Sequence, residues 1–188
     1  MKSDQDKWHK RYQTKSYPVS ASELVTNYIH LAKIGKALDI AAGNGRNSRF
    51  LIKQGFSVDA VDITSTGFEL FQSENAGICF KQEDLDFFII PANSYDLILN
   101  LNFLSRRLFP YLITGLKPGG LIIFETFIWE KSAEAGNHDD TIKSDHYLRP
   151  NELLHAFLSL HIVSYQETLQ RTIRETTYNL ASLVAQKK

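Results

Sequence analysis

The chain of 188 residues carries a single cysteine, Cys79. One thiol cannot close an internal disulfide, so a disulfide-stapled secreted fold is excluded and a reducing compartment is expected. Net charge is missing as well: 21 Lys and Arg balance 21 Asp and Glu. A neutral chain lacks the long-range field of a general nucleic-acid or anionic-membrane binder. No apolar run approaches the length that spans a bilayer, the densest being Leu121–Phe124 and Leu97–Leu99. Met1–Arg11 is charged with no apolar stretch behind it, unlike a secretory signal. These absences predict a cytoplasmic protein with neither a membrane nor a nucleic acid as partner. There is no internal repeat and no low-complexity tract. What is present is 43% hydrophobic residues, with 12 Phe, 8 Tyr and 2 Trp. That suffices for the core of one domain over residues 1–188 and excludes disorder as the main state.

The hydrophobic spacing changes period along the chain. Residues 1–20 are polar with interspersed rings and read as an N-terminal arm or lid. Residues 21–33 have helical spacing at Leu24, Tyr28 and Leu31, with Ser20 or Ser22 as a cap. Strands are predicted at Lys36–Ala41, Ser57–Ile63, Ile78–Gln82, Tyr95–Leu101 and Leu121–Phe127. Helices are predicted at Arg46–Gln54, Thr64–Asn75 and Ser105–Leu116, the last closed by Lys117-Pro118-Gly119-Gly120. A further helix is expected at Pro150–Leu158, with Pro at its first position. His161–Thr168 and Thr176–Val184 are close enough for an antiparallel hairpin. The alternation predicts an α/β fold, a parallel sheet with helices on both faces. Ligands of such sheets sit at the carboxyl ends of the strands, where strand order reverses.

The first strand ends in Asp39-Ile40-Ala41-Ala42-Gly43-Asn44-Gly45. Gly43 and Gly45 let backbone pass close to a ligand, and the helix beyond offers free N–H groups. A plain tight turn would use the same glycines. The dinucleotide fingerprint needs a third glycine where Ser48 stands, and a phosphate-binding loop needs Lys-Ser/Thr where Arg46-Asn47 stand. The loop therefore favours a close-lying ligand without phosphates. Asp62 ends the second strand, where a carboxylate accepts from ribose hydroxyls or caps the next helix. Ile63 follows and can lie against a purine. Asp84 and Leu85 end the third strand and can meet an adenine amino group and ring nitrogen, or Asp84 is a solvated acid of its turn. Asp39, inside a buried strand, needs a partner, either a ligand ammonium or a group of the protein. A ribose, an adenine and an amino-acid head without phosphate describe S-adenosylmethionine.

The chain resembles the class I S-adenosylmethionine-dependent methyltransferases. The matching stretches are Ala37–Phe50, Val58–Ile63, Glu83–Leu85, Tyr95–Leu99 and Leu116–Phe127. Within that class it is similar to the small tellurite-resistance-type enzymes through Gly43–Ser48, Trp8-x-x-Arg11-Tyr12, Glu125-Thr126-Phe127 and Leu148-Arg149-Pro150-x-Glu152-Leu153. The resemblance implies a doubly wound, mostly parallel seven-stranded sheet with an antiparallel last strand. It places Asp39 and the glycine loop at the methionine part, Asp62 at the ribose, Asp84 and Leu85 at the adenine, and backbone near Asn100 at the methionine amino group. Ala41 stands where the family usually has glycine.

On the acceptor side no residue is marked as a general base. The Pro-Pro-aromatic signature of nucleic-acid and glutamine methylation is absent after Asn100. Arg106 and Arg107 begin the next helix and suit an anionic acceptor, or else one is solvated and the other forms a structural ion pair. Residues 130–149 are expected over the substrate mouth, with His138 and His146 in a polar lid. Their spacing with Asp139, Asp140 and Asp145 matches no metal template. Trp8, Arg11 and Tyr12 share one helical face and can close over the cofactor, or pack as a stabilising arm. Cys79 is expected as a buried, inert thiol. The function expected is methyl transfer to a small molecule, possible alternatives being a non-catalytic S-adenosylmethionine-binding module or a nicotinamide oxidoreductase, which Ser48 opposes.

Overall fold

The computed structural model describes residues 2–71, 76–128, 147–171 and 177–188. Seven strands form one sheet: β1 (Lys36–Ile40), β2 (Ser57–Asp62), β3 (Ile78–Gln82), β4 (Tyr95–Leu101), β5 (Leu116–Phe127), β6 (His161–Arg171) and β7 (Thr177–Gln186). Their spatial order is β3-β2-β1-β4-β5-β7-β6. The first five are parallel, and β7 lies antiparallel between β5 and β6. Order reverses between β1 and β4, so the carboxyl end of β1 opens at the switch point.

Alternation along β1 sorts the core. Leu38 and Ile40 join Ile98, Ile122 and Phe124 on one face. Ala37 joins Leu97, Leu99, Leu121 and Ile123 on the other. Phe109, Phe124 and Phe157 close the first layer at ring separations of 5.5–5.9 Å. Helices α1 (Lys2–Thr14), α2 (Glu23–Tyr28), α3 (Arg46–Lys53), α4 (Thr66–Glu69), α5 (Phe109–Gly115) and α6 (Glu152–Ala156) flank the sheet.

Several boundaries differ from the sequence expectation. The N-terminal arm is helical over 13 residues. Ser22 is the N-cap of α2, but its backbone N–H donates to Asn47 Oδ1 at 3.0 Å and its side chain makes no capping bond. Of the helix expected at Thr64–Asn75, α4 covers Thr66–Glu69, and residues 72–75 lie outside the described residues. Thr64 and Thr66 hydroxyls bond each other there, and Tyr12 packs against Gly67. Arg106–Leu108 is a 3-10 turn leading into α5. Leu116–Gly120 belongs to β5, extended past a register shift opposite Tyr95 and Leu97. Gly119, at φ +78, absorbs the distortion. In α6, Pro150 precedes the helix. Asn151 is its N-cap at φ 61, its N–H held by Glu167 Oε1. Cys79 is exposed, because β3 is an edge strand with only β2 beside it.

Candidate functional site

Ala41, Gly43 and Gly45 all have positive φ, at 52°, 61° and 75°. The turn after β1 is thus left-handed at alternate residues, and its N–H groups are taken up within the protein: Ala42 by the Val61 carbonyl, Gly43 by Asp62 and Gly45 by the Ala42 carbonyl. Gly45 is the N-cap of α3. A Cβ on Gly43 would sit 2.5 Å from Tyr12 Oη, and one on Gly45 would sit 2.9 Å from the Phe68 ring. φ favours glycine at both positions, and an added Cβ would also push the Tyr12 or Phe68 ring out of place. Ala41 accepts the same conformation with a methyl group, at a cost of about 1 kcal/mol.

Side chains from α3 and from the arm brace this turn. Asn44 Nδ2 donates to the Pro18 carbonyl at 2.9 Å, and Arg49 Nη1 donates to the Asn44 carbonyl at 2.6 Å. Arg49 is buried and lies over Phe71. In α1, Trp8, Arg11 and Tyr12 do share a face: Arg11 stacks on Trp8 at 5.0 Å, and the Trp8 and Tyr12 rings are 6.0 Å apart. His9 Nδ1 meets Thr66 Oγ1 at 2.6 Å and anchors the helix over α4. Tyr12 stands directly over Gly43 and Gly67. Burial, the nearby Asp62 charge and Tyr17 push its phenol well above the usual range.

Two acids face the turn. Asp39 is 2% exposed and accepts from Ser48 Oγ at 2.6 Å. Burial pushes its carboxyl up to about 6, against the pull of Ser48 and Arg46. Ser48, which the dinucleotide fingerprint would have as glycine, is thus the protein partner of Asp39. Asp62 accepts from Gly43 N–H at 2.8 Å and Thr64 N–H at 3.1 Å. Burial raises it too, and the N–H bonds pull it back. It does not cap α4, whose N-cap is Ser65. A carboxylate offers about four lone-pair positions, so acceptor capacity remains beyond these two bonds. Ile63 is half-buried beside it.

Asp84 is half-buried, and its Oδ1 accepts from Asp86 N–H at 2.9 Å in a local turn. Leu85 is buried. Asn100 is buried, and its Nδ2 donates to the Phe103 carbonyl at 2.7 Å, shaping the turn after β4.

The acceptor-side arginines are both committed. Arg106 grips Glu152 through Nε (2.5 Å) and Nη2 (2.9 Å), and also donates to the Tyr147 carbonyl. The Arg106 bonds hold the Glu152 carboxyl below its usual range. Arg107 donates to the Leu85 and Phe88 carbonyls and stacks on Tyr111. Of the two expected alternatives, Arg106 makes the structural ion pair, and the two forks tie the 3-10 turn before α5 to α6 and to the turn after β3. His138 and His146 lie outside the described residues.

Sequence reasoning passed over two groups. Arg46, first in α3, lies within electrostatic reach of Asp39, Glu125 and Tyr12. Glu125, at the carboxyl end of β5, accepts from Ser182 Oγ of β7 at 2.7 Å. An arginine directly after Gly-x-Gly was the available signal for the first. The β5–β7 pairing that supplies Ser182 had none.

This donor set fits S-adenosylmethionine on the structure's own terms. A buried acid without a cation within ion-pair distance among the described residues stands beside a left-handed, glycine-rich turn, with a second acid held by backbone N–H groups. A phosphate would meet both carboxylates. Fold and sheet order are those of solved S-adenosylmethionine-dependent methyltransferases. The model of the family described as tellurite resistance protein TehB matches residues 1–179, and the chain belongs to that family. The solved structure of TehB from Haemophilus influenzae is similar at 20% identity and TM-score 0.71, covering 98% of this chain and 67% of that one. A methyltransferase from Methanosarcina mazei is similar at 19% identity and TM-score 0.67, covering 89% and 98%. The 1,6-didemethyltoxoflavin-N1-methyltransferase of Burkholderia thailandensis, solved with its substrate and S-adenosylhomocysteine, matches at 17% identity and TM-score 0.68, covering 98% and 87%. No curated protein matches the chain. Among the described residues no helix is long and apolar enough to cross a membrane, and no cluster of His, Cys, Asp and Glu could hold a metal.

Proposed function

We propose that this chain is a single-domain enzyme that transfers a methyl group from S-adenosylmethionine to a small acceptor in the cytoplasm. The observation carrying it is the buried Asp39 carboxyl beside the left-handed Gly43 turn, with Asp62 braced across it. Asp39 takes the ammonium of the amino-acid head, Asp62 the ribose hydroxyls, and Ile63, Asp84 and Leu85 the adenine. Asn100 shapes the backbone that meets the amino group. Trp8, Arg11 and Tyr12 cover the cofactor from α1.

When bound, S-adenosylmethionine supplies an electrophilic methyl group and its own leaving group. The chain contributes alignment and exclusion of water. The acceptor best suited is a soft nucleophile already ionised at neutral pH, such as a thiolate or a selenium or tellurium anion, because it needs no base. With Arg106 and Arg107 committed elsewhere, their charge does not select it. The names of the family and of the Haemophilus influenzae structure support placing tellurite among the acceptors tried.

A second reading is a non-catalytic S-adenosylmethionine-binding module, which Ala41 in a glycine position favours. Formation of S-adenosylhomocysteine in the presence of thiols, selenite, tellurite, small carboxylates, tRNA or DNA separates the two. Turnover with a small acceptor supports the enzyme. Tight S-adenosylhomocysteine binding with no turnover supports the module, and methylation of nucleic acid alone overturns the small acceptor.

A further inference from the structure

Buried polar side chains in this fold are bonded with one exception among the described residues. Asp39 has Ser48, Asp59 has Tyr95, Asn100 has the Phe103 carbonyl and Ser182 has Glu125. The exception is Thr126, 1% exposed, whose Oγ1 has no hydrogen-bond partner. Taking a hydroxyl out of water without a partner is costly, and valine suits a buried strand as well without that cost. A stranded hydroxyl at such a position calls for a use.

Strand register shows where it stands. Asn100 of β4 pairs with Phe124 of β5, and Leu101 with Glu125. Asn102 N–H then donates to the Glu125 carbonyl at 2.7 Å, so the turn after β4 begins beside Thr126. On its other side Thr126 pairs with Ala181 of β7, whose methyl group offers no bond. Side chains alternate along a strand, so Thr126 lies on the face of Phe124 and of its neighbour Asn100, opposite to that of Glu125. In the reading above, the cofactor takes the carboxyl ends of β1, β2 and β3 and reaches β4 at Asn100. The carboxyl end of β5 is the next place along the sheet for an acceptor. There Glu125 is bonded to Ser182, while the Thr126 hydroxyl is open.

We propose that Thr126 donates a hydrogen bond from its hydroxyl to the anionic nucleophile of the acceptor and holds it for attack. This rests on the soft-anion reading above, and it supplies the donor that Arg106 and Arg107, committed elsewhere, do not. A hydroxyl carries no charge, so it holds an anion without neutralising it. The nucleophile's lone pair forms the new bond to the methyl carbon while the carbon–sulfur pair returns to sulfur, and the hydroxyl keeps its proton throughout. Because the nucleophile loses its charge during attack, this hydrogen bond is strongest before the transition state. Its removal should therefore weaken acceptor binding more than it slows the step.

The experiment compares the wild type, Thr126→Val and Thr126→Ser in S-adenosylhomocysteine formation with thiophenol, selenite or tellurite as acceptor, beside calorimetry with S-adenosylhomocysteine and thermal melting. Thr126→Val is expected to raise the acceptor KM about tenfold, with kcat within about twofold of wild type. S-adenosylhomocysteine affinity should stay within about twofold, and the melting temperature should rise by about 2–4 °C as the stranded oxygen is removed. Thr126→Ser keeps the hydroxyl and should recover most of the acceptor KM. An unchanged KM in Thr126→Val overturns the proposal. So does a lower melting temperature in that variant, which would show the hydroxyl bonded within the protein. An equal loss of S-adenosylhomocysteine affinity overturns it too, by putting the effect in the cofactor pocket. A wild type that binds S-adenosylhomocysteine yet methylates none of the three acceptors overturns the soft-anion reading, and the proposal with it.

Discussion

The two ends of the sheet treat the same side chain in opposite ways. At the amino end, Asp59 accepts from Tyr95 Oη at 2.9 Å and pairs with Lys36 (3.0 Å) and Lys81 (3.3 Å). Asp96 pairs with Lys117 at 2.6 Å and accepts from Lys36 N–H at 2.8 Å. Burial pushes both carboxyls up, but these partners outweigh it and hold them below the usual range. At the carboxyl end, Asp39 and Asp62 have neutral hydroxyl or backbone donors, and burial wins. The amino end is complete within the chain. The carboxyl end leaves charge unmatched, which is what a site awaiting a cationic, hydroxyl-bearing ligand requires.

The largest effect separating the ends is expected from Gly43→Val. A branched side chain at φ +61, with its Cβ 2.5 Å from Tyr12 Oη, must displace the arm and fill the ligand's space. S-adenosylhomocysteine binding should fall by at least about a hundredfold in calorimetry; retained affinity would detach the loop from the site. Next, Asp62→Ala should weaken the same ligand by about 1–3 kcal/mol, the range for stranded polar groups. Unchanged affinity would remove the ribose assignment.

The amino end answers through stability. Asp59→Asn should lower the unfolding free energy by about 1–2 kcal/mol, because Tyr95 and two half-exposed lysines lose a charged partner. Ligand affinity should stay within about twofold. If affinity falls as much as stability, the two ends are coupled and the contrast is false.

pH sharpens the comparison further. Asp39 holds its proton to about 6 in the folded protein, so its own contribution to stability declines as pH rises from the unfolded value near 4 towards 6. Ligand ammonium pairs with the ionised form. S-adenosylhomocysteine affinity should therefore rise about tenfold between pH 5 and 7.5, and Asp39→Asn should flatten that rise. Asp59 and Asp96, with depressed values, contribute stability that is complete above the unfolded value and is lost as pH falls below it. A pH-independent affinity in the wild type would count against Asp39 as the ammonium's partner. The smallest change is Ala41→Gly. Relief at φ 52 should outweigh the added freedom of the unfolded chain by about 0.5 kcal/mol, read as a small rise in denaturation midpoint.

Much of the site was legible because it is local. Asp39, Gly43 and Gly45 lie within one strand end and turn, and Asp62 ends the adjacent strand. Spacing alone puts them together once the sheet is parallel. Strand limits at Ile78–Gln82 and Tyr95–Leu101 match the reading. Helix limits were less uniform: Arg46–Lys53 falls within one residue of the expected Arg46–Gln54, whereas Ser105–Leu108 precedes α5 instead of belonging to it. Within Thr66–Glu69, Gly67 lies against Tyr12, a contact between residues 55 positions apart in the chain that no local pattern shows. Cys79 is exposed because nothing pairs beyond β3, a matter of strand order rather than of composition.

By itself, then, the sequence determined the alternating α/β architecture and the switch-point turn. Each depends on residue type at short spacing, where backbone geometry leaves little freedom. Only the tertiary structure decided who partners whom. Packing of α5 against α6 closed Arg106 on Glu152, and pairing of β5 with β7 brought Ser182 to Glu125. The same packing left Arg46 half-buried, reaching the Ser20 carbonyl 26 residues away. A charged side chain several bonds long can reach many neighbours, and the choice among them is set by distances that exist only once the chain has folded.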